Sequence, residues 1–153
     1  MRCPHCNSEN NIVLNSRKSI HNTQVWRRRK CLICQSIYTT HELADLSHII
    51  VVKKDGSKER FNKLKLYAGI HGAVVQRWIQ GSREELAMKY STEVEGEILK
   101  LKLKEIKSTE ISEICLSILS KRDLTVFLRF YAYNKHPDSL KNLKKDLAKY
   151  LSI

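Results

Sequence analysis

The sequence predicts an α+β protein in which a small antiparallel β module precedes a mainly helical domain with a β-hairpin at its front. Residues 1–40 are polar and basic, contain four of the five cysteines and have only short apolar runs. Further along, Asp55-Gly56 separates two strand-like runs, as is typical of a tight hairpin turn. Beyond residue 62, apolar residues recur at helical spacing.

Five short β-type runs are predicted to be strands. The three in the N-terminal module are too short and too polar to form a core by themselves. Residues 41–48 are expected to form a connection between the module and the second domain. The predicted strands are residues 12–14, 25–30, 37–40, 49–53 and 58–61.

Capping residues predict where the helices begin. Asn62 is suited to cap a first helix, because its side chain can accept hydrogen bonds from free N–H groups. Ser82 and Glu85 together form a capping box for a second helix. Either Ser108 or Thr109 is expected to open a third.

Two residues that disfavour helix mark the expected interruptions, Gly81 and Pro137, and a last amphipathic helix follows Pro137. The apolar spacing within each predicted helix indicates which side chains face the core. The predicted faces contain Leu66, Tyr67, Ile70, Val74 and Trp78; Tyr90, Val94, Ile98 and Leu101; Ile111, Ile114, Cys115, Ile118 and Leu119, continued by Leu124, Phe127, Leu128 and Tyr131; and Leu140, Leu143, Leu147 and Leu151.

The composition limits the class of protein. A chain of 153 residues with 42% hydrophobic residues can form a packed core. The excess of 28 Lys and Arg over 16 Asp and Glu gives a net charge of +12, which favours nucleic acid, a membrane surface or nucleotide phosphates as partner. No apolar stretch reaches the ~20 residues of a membrane helix, and no apolar signal segment follows the N-terminus, so we expect a cytoplasmic protein without a membrane partner.

The spacing of four cysteines predicts a zinc site. Cys3 and Cys6 form one C-x-x-C pair, Cys31 and Cys34 form another, and residues 7–30 separate the pairs. Each pair presents two thiolates from one tight turn, and four thiolates complete the tetrahedral shell of a structural zinc ion. Unrelated thiols and a redox dithiol are the alternatives, and the presence of two pairs disfavours both. We therefore expect one Zn²⁺ per chain, with His5 and His41 outside its shell.

The remaining cysteine, Cys115, lies on the apolar face of a predicted helix. We expect it to be a small buried hydrophobic residue.

A basic run leads into the second cysteine pair. In a strand, alternate side chains face opposite ways, so Arg27 and Arg29 share one face and Arg28 and Lys30 share the other. Such a strand can grip phosphates and reach base edges, and Arg17 is a candidate second contact. The alternative is a solvated charged face that offsets the negative charge of a zinc tetrathiolate.

The hairpin predicts a second anion site. It brings Lys53, Lys54 and Lys65 beside the first turn of a helix, where phosphate is favoured. Glu59 and Asn62 are candidates for reading a base or ribose. A basic hairpin with a purely structural role explains the pattern equally well. No phosphate-binding Gly-x4-Gly-Lys-Ser/Thr loop and no obvious carboxylate pair for magnesium is present, so hydrolysis is not expected.

Longer motifs can be compared with known families. The first set is Met1-x-Cys3-Pro4-x-Cys6, Ser16-Arg17, Arg27-Arg28-Arg29-Lys30-Cys31-x2-Cys34 and Tyr38-Thr39-Thr40-x-Glu42. It resembles the zinc ribbon of the NrdR family, bacterial repressors of ribonucleotide reductase genes. The second set is Val52-Lys53-Lys54-Asp55-Gly56 with Glu59, Phe61, Asn62 and Lys65, and later Leu128-Arg129-Phe130. It is similar to the ATP-cone signature of those regulators and of reductase allosteric domains.

The resemblance implies three segments: a zinc-ribbon DNA-binding domain over 1–44, an ATP-cone over 49–136 and a C-terminal helix over 137–153. It implies that bound ATP or dATP changes the state of a homo-oligomer, which decides whether the ribbons grip paired operator boxes of duplex DNA at the nucleoid. By the same resemblance, the nucleotide-binding residues are Lys53, Lys54, Glu59, Asn62, Lys65 and Ser108, and the DNA-binding residues are Arg17, Arg27, Arg28 and Arg29.

Three residues depart from the family pattern. Trp26 and Ile37 stand where the family usually has Arg, and Asn15 stands where it usually has Asp. These departures bear on which operator boxes are recognised.

Two other functions are alternatives to a nucleotide-gated repressor. An enzyme, such as a detached reductase fragment, is disfavoured because 153 residues leave no catalytic barrel and only Cys115 remains for thiol chemistry. A constitutive zinc-ribbon factor that binds nucleic acid or RNA polymerase would have no reason to keep the signature from Lys53 to Lys65.

Overall fold

The computed structural model describes residues 1–18, 24–75, 82–135, 137 and 139–151. The chain divides into two compact units, Met1–Asp45 and Leu46–Ile153. None of the helices in these ranges combines the length and the apolar character that spanning a lipid bilayer requires.

The first unit is a three-stranded antiparallel sheet. Its strands are β1 (Asn11–Lys18), β2 (Gln24–Cys31) and β3 (Ile37–Leu43), with β2 in the centre. The predicted antiparallel module is confirmed, but each strand is longer than its apolar run, because polar residues also pair along the ladder. Among the described residues of this unit, the buried ones are Cys3, Cys31 and Thr40. The unit therefore lacks an apolar core.

The second unit begins with the predicted hairpin. It is formed by β4 (Ile50–Val52) and β5 (Lys58–Arg60), which pair antiparallel. Gly56 has a φ of 84°, a left-handed conformation that glycine adopts without strain. A third strand, β6 (Glu105–Lys107), pairs parallel with β4 on its other side. Sequence reasoning missed β6, because its single apolar residue between two charged ones gives no strand pattern.

Helices make up most of the second unit. They are α1 (Lys63–Val74), α2 (Arg83–Lys100), α3 (Ser108–Arg122), α4 (Leu124–Lys135) and α5 (Leu140–Leu151). Asn62 caps α1 by accepting hydrogen bonds from the N–H groups of Leu64 and Lys65. Ser82 caps α2 by accepting from the Glu85 N–H. Trp78, predicted to lie on the apolar face of the first helix, and Gly81, predicted to end that helix, lie outside the described residues.

Residue 123 separates α3 from α4, whereas the apolar spacing predicted one continuous pattern. The Asp123 carboxylate accepts hydrogen bonds from the N–H groups of Thr125 and Val126, and so begins a new helix. The predicted Phe127 and Tyr131 are buried, and because the helix restarts there, Val126 and Phe130 are buried beside them. Some leucines that the spacing placed on buried faces are exposed instead, and this prediction was wrong for Leu101, Leu124, Leu128 and Leu140.

The last helix, α5, packs on the core of the second unit along one side. The Tyr131 hydroxyl donates a hydrogen bond of 2.9 Å to Asp146 of α5. The α5 side chains packed against the core are Leu143, Leu147, Tyr150 and Leu151.

Glu113 of α3 anchors this helix electrostatically. Its carboxylate accepts hydrogen bonds from Lys149, at 2.8 Å, and from Tyr150 in α5, and from Lys135 at the end of α4. Partial burial would raise the pKa of Glu113, but the hydrogen bonds from Lys135, Lys149 and Tyr150 outweigh it and lower that pKa to about 2.

This shift predicts an acid-sensitive docking of α5. A depressed carboxyl pKa stabilises the fold above the unfolded-state value of 4.5 and loses that effect as the pH falls toward 2. Glu113→Gln should therefore be less stable than the unsubstituted protein at neutral pH, and the difference should shrink as the pH falls through that window. Urea unfolding at several pH values measures it. Glu97→Gln, which removes a surface pair with Lys100 of α2, is the matched control. A difference that does not change with pH would contradict the role of Glu113.

Candidate functional site

The four predicted cysteines form one cluster in the first unit. Their Sγ atoms all lie within 4.8 Å of one another. The closest pairs are Cys3–Cys34 at 3.7 Å and Cys6–Cys31 at 3.6 Å. Zinc–thiolate bonds of about 2.3 Å in a tetrahedron place sulfurs roughly 3.8 Å apart, so the cluster fits a zinc ion.

The two cysteine turns have the same local geometry. The residue after each second cysteine, Asn7 or Gln35, has a positive φ of 61° or 62°. The Asn7 N–H donates to the Cys3 carbonyl at 2.9 Å, which closes the first turn. In the second turn, the Cys31 N–H donates to the Ser36 carbonyl at 3.0 Å. Each turn thus directs two sulfurs to one point.

Hydrogen bonds already favour thiolate at two of these positions. The Ser36 hydroxyl and N–H lower the pKa of Cys34 to about 6, and the Cys34 N–H lowers the pKa of Cys31. At Cys6 the Ser8 N–H lowers the pKa, but the hydrogen bond with Cys34 and burial raise it to about 12. Four crowded sulfurs can all be thiolates at neutral pH when a cation offsets their charge, and a divalent metal ion does so.

The predicted arginines divide between the two faces of the sheet. Arg27 and Arg29 lie on one face, which we call the Arg27 face. There Glu42 pairs with Arg27 at 3.0 Å and with Arg29 at 3.8 Å, and Arg29 Nε also donates to Thr40 at 3.1 Å. Their side chains are 35% and 15% exposed. Both guanidiniums are therefore held within the sheet.

The opposite face carries the other two. Arg17 stands opposite Trp26 on the neighbouring strand, and Trp26 stands opposite His41. Arg28 is exposed and follows Trp26 by two residues on the same face. No carboxylate among the described residues forms an ion pair with Arg17 or Arg28. The surface formed by Asn15, Arg17, Trp26, Arg28, Thr39 and His41 is called the Arg28 face below.

A concavity of about 500 Å³ opens on the Arg28 face. Its walls therefore combine two guanidiniums with an exposed indole. They are formed by Asn15, Arg17, Trp26, Arg28, Ile37, Tyr38 and Thr39.

In the second unit, Glu59 joins two of the predicted lysines. Its carboxylate binds Lys53 Nζ at 2.8 Å and Lys65 Nζ at 2.6 Å. The hydrogen bond from Lys53, followed by that from Lys65, lowers the pKa of Glu59. The Asn62 side chain is engaged as the α1 cap. Four of the predicted nucleotide residues thus meet where β4, β5 and the start of α1 converge.

Two neighbouring cavities lie at this point. The smaller, about 230 Å³, is mainly apolar at its back, where Phe130 of the Arg129-Phe130 motif and the buried Cys115 contribute. The larger, about 550 Å³, is lined by Lys53, Lys54, Asp55, Ser57, Ser108, Thr109, Ser112, Asn134 and Lys135. Lys53 and Ser108 line both cavities, whereas Lys54 lines only the larger of the two.

Six polar residues of the larger cavity were not predicted as site residues: Asp55, Ser57, Thr109, Ser112, Asn134 and Lys135. Ser112 lies one helical turn after Ser108, so its position could have been found from the spacing. Asn134 and Lys135 come from the end of α4, and only the tertiary fold brings them to the hairpin. The wall therefore has a third lysine beside Lys53 and Lys54.

Comparisons with known proteins match each of the two units to a family model. Residues 1–42 match the family model described as "Transcriptional repressor NrdR-like, N-terminal domain", and residues 49–136 match the ATP cone domain. The chain belongs to the NrdR family of transcriptional repressors. Its first unit is thus the NrdR zinc ribbon, and its second unit contains the ATP cone.

Relatives of the family align along nearly the whole chain. A protein of Carboxydothermus hydrogenoformans is 35% identical over 99% of this chain and 97% of its own length. Proteins of Finegoldia magna and Kosmotoga olearia are 30% and 36% identical, each over 97% of both chains. All three are named "Transcriptional repressor NrdR".

The sulfur cluster predicts the metal content of this NrdR-family chain. Elemental analysis of the purified protein should give one zinc per chain, and Cys34→Ser should lower that content because it removes one of four clustered sulfurs. Cys115→Ala, which changes the cysteine outside the cluster, should leave it unchanged. Equal zinc in the Cys34 and Cys115 variants would contradict the assignment.

Proposed function

We propose that this NrdR-family chain is a nucleotide-sensing repressor and not an enzyme. Its ribbon binds paired operator boxes of ribonucleotide reductase genes, and ATP or dATP in the cone controls the state of a homo-oligomer and its affinity for DNA. The observation that carries the proposal is the presence of two sites: a sheet face in one unit whose Arg17 and Arg28 pair with no described carboxylate, and lysine-lined cavities in the other unit.

One Zn²⁺ per chain is assigned to Cys3, Cys6, Cys31 and Cys34. Its role is structural, because four thiolates leave no open position for a substrate or an activated water. We assign residues 1–44 to the DNA-binding domain, 49–136 to the ATP cone and 137–153 to a C-terminal helical segment.

For DNA, the Arg28 face supplies the first contacts. Arg17 and Arg28 have no ion pair with a described carboxylate, so they can bind phosphate without first losing a partner. Arg27 and Arg29 are assigned to DNA as well, but each has to leave Glu42 to reach it. This exchange of partners is favoured, because a guanidinium that binds a DNA phosphate releases condensed counterions from the DNA.

The two cavities suit different parts of the nucleotide. The larger one suits the phosphates, because Lys53, Lys54 and Ser108 line it together with Lys135. The smaller one suits the base and ribose, because its back is apolar while Glu59 and Asn62 line its mouth. Lys65 lies in the smaller cavity, held by Glu59.

The same contacts supply a means of sensing. Lys53 lines both cavities and is bound by Glu59, so an entering phosphate competes with this carboxylate for the ammonium. Glu59 also holds Lys65 at the start of α1. When Lys53 leaves Glu59 for a phosphate, the carboxylate keeps only Lys65 as its partner. The contact between the hairpin and α1 then changes, so nucleotide binding alters the conformation of the unit.

Nothing in the described walls favours hydrolysis. The carboxylates that line the two cavities are Asp55 and Glu59, and both are already engaged. Asp55 accepts hydrogen bonds from the Ser57 hydroxyl and N–H, and the hydroxyl bond is the main reason that its pKa is lowered. These two carboxylates do not form a pair that would hold a magnesium ion with an attacking water.

The nucleotide assignment predicts a strong effect at Lys53. Calorimetry should show ATP and dATP binding to Lys53→Ala weakened by about tenfold or more, since a charge-assisted contact to phosphate is lost. Lys58→Ala is the matched control, because Lys58 lies on the same hairpin but pairs with Glu105. If the two variants bind nucleotide alike, the hairpin lysines have a structural role only.

The gating assignment makes a separate prediction. Promoter DNA of the reductase genes should bind with an affinity that differs among ATP, dATP and no nucleotide, and light scattering should show different assembly sizes. Arg28→Ala should retain zinc and nucleotide affinity, yet lose most promoter binding, with a salt slope smaller by about 0.9 per lost phosphate contact. Promoter affinity that is equal in all three conditions would favour a constitutive zinc-ribbon factor.

A further inference from the structure

Trp26 is an exposed aromatic residue in the middle of the cationic Arg28 face. It is 50% exposed, and its ring lies 4.6 Å from that of His41, centroid to centroid, at an angle of 50°. The described residues of this unit form no apolar core that the indole could join. Packing of the fold therefore does not explain a large aromatic ring at this position.

The surroundings of the ring suit one class of ligand. Arg17 is directly opposite Trp26 on β1, and Arg28 is two residues along β2, which places both within about 5–7 Å along the sheet. The concavity of about 500 Å³ is open beside the indole. An aromatic ring offers a stacking surface to a nucleobase, and flanking guanidiniums hold the backbone phosphates.

The indole is better suited to binding a single strand than a duplex. Tryptophan carries no charge and has one N–H donor and no acceptor, so it can give a phosphate or a base edge no more than one hydrogen bond. Its flat face is its main binding surface. In a duplex, neighbouring bases cover the faces of each base, whereas in a single strand those faces are accessible.

We propose that the Arg28 face binds single-stranded nucleic acid, with an unpaired base stacked on Trp26 and adjacent phosphates held by Arg17 and Arg28. This activity goes beyond the binding of duplex operators. The shared chemistry is an unpaired base on a phosphodiester strand, which both DNA and RNA supply. Stacking makes the site tolerant of sequence, because every base has a π face.

The test uses the full-length protein and three labelled probes: a short oligothymidylate, an oligouridylate of equal length and a duplex of matched length. Anisotropy should show single-strand binding that Trp26→Leu weakens by roughly 5- to 150-fold. Trp26→Phe keeps a stacking ring and should stay within a few-fold of the unsubstituted protein. Zinc content and circular dichroism of both variants show whether the ribbon is intact.

A second measurement reports on the indole itself. In a Trp78→Phe background, the remaining tryptophan is Trp26, and its emission should be quenched when oligothymidylate or oligouridylate binds. The two single-stranded probes show whether DNA or RNA is preferred.

Three results would overturn the proposal. The first is single-strand affinity that is equal in the Leu and Phe variants, which means that charge alone binds the strand. The second is a Trp26-dependent quench with the duplex and not with the single strands, which assigns the indole to duplex DNA. The third is no single-strand binding at all. Promoter binding that responds to nucleotide tests the repressor function independently of these results.

Discussion

The four clustered sulfurs take the place of an apolar core in the first 45 residues. Cys3 and Cys31 are buried, and Thr40 is the other buried residue among those described in this unit. Exposed apolar side chains lie along the strands, so packing contributes little to holding the sheet. Two turns that converge on the sulfur cluster bring β2 and the N-terminal segment together instead.

That constraint explains how both faces of one small sheet can carry arginine. A sheet that packs on a core has to keep one face apolar, but this ribbon does not. Arg27 and Arg29 occupy one face and Arg17 and Arg28 the other. The cysteine end of β2 fixes the position of the basic run, since Arg29 lies two residues before Cys31. The proposed binding surface therefore depends on the sulfur cluster.

Glutamates that each bind two basic side chains offset part of the positive charge in both units. In three places a single glutamate holds two cations: Glu42 with Arg27 and Arg29, Glu59 with Lys53 and Lys65, and Glu113 with Lys135 and Lys149. One lysine of each of the last two clusters, Lys53 and Lys135, lines the larger cavity. A phosphate bound there would lie between two clusters, one of which anchors α5.

Local sequence patterns predicted much of the fold and of the candidate sites. The remainder depends on tertiary contacts. The C-x-x-C spacing, the Asp-Gly turn and the caps at Asn62 and Ser82 specify local geometry, and the fold confirmed them. Strand β6 and the division of the long helix at Asp123 were missed, because a three-residue strand and a single capping carboxylate leave little trace in an apolar pattern. Asn134 and Lys135 could not be assigned to the cavity, since only the packing of α4 brings them to the hairpin.

If the metal takes the place of a core, its removal should unfold the first unit alone. Hydrogen exchange measured by mass spectrometry, before and after chelation of zinc, tests this most directly. We expect the amides of β1, β2 and β3 to lose their protection, while those of α1 to α4, which have their own buried residues, keep theirs. Protection of β2 that survives the verified loss of zinc would show that the ribbon holds its fold without the metal.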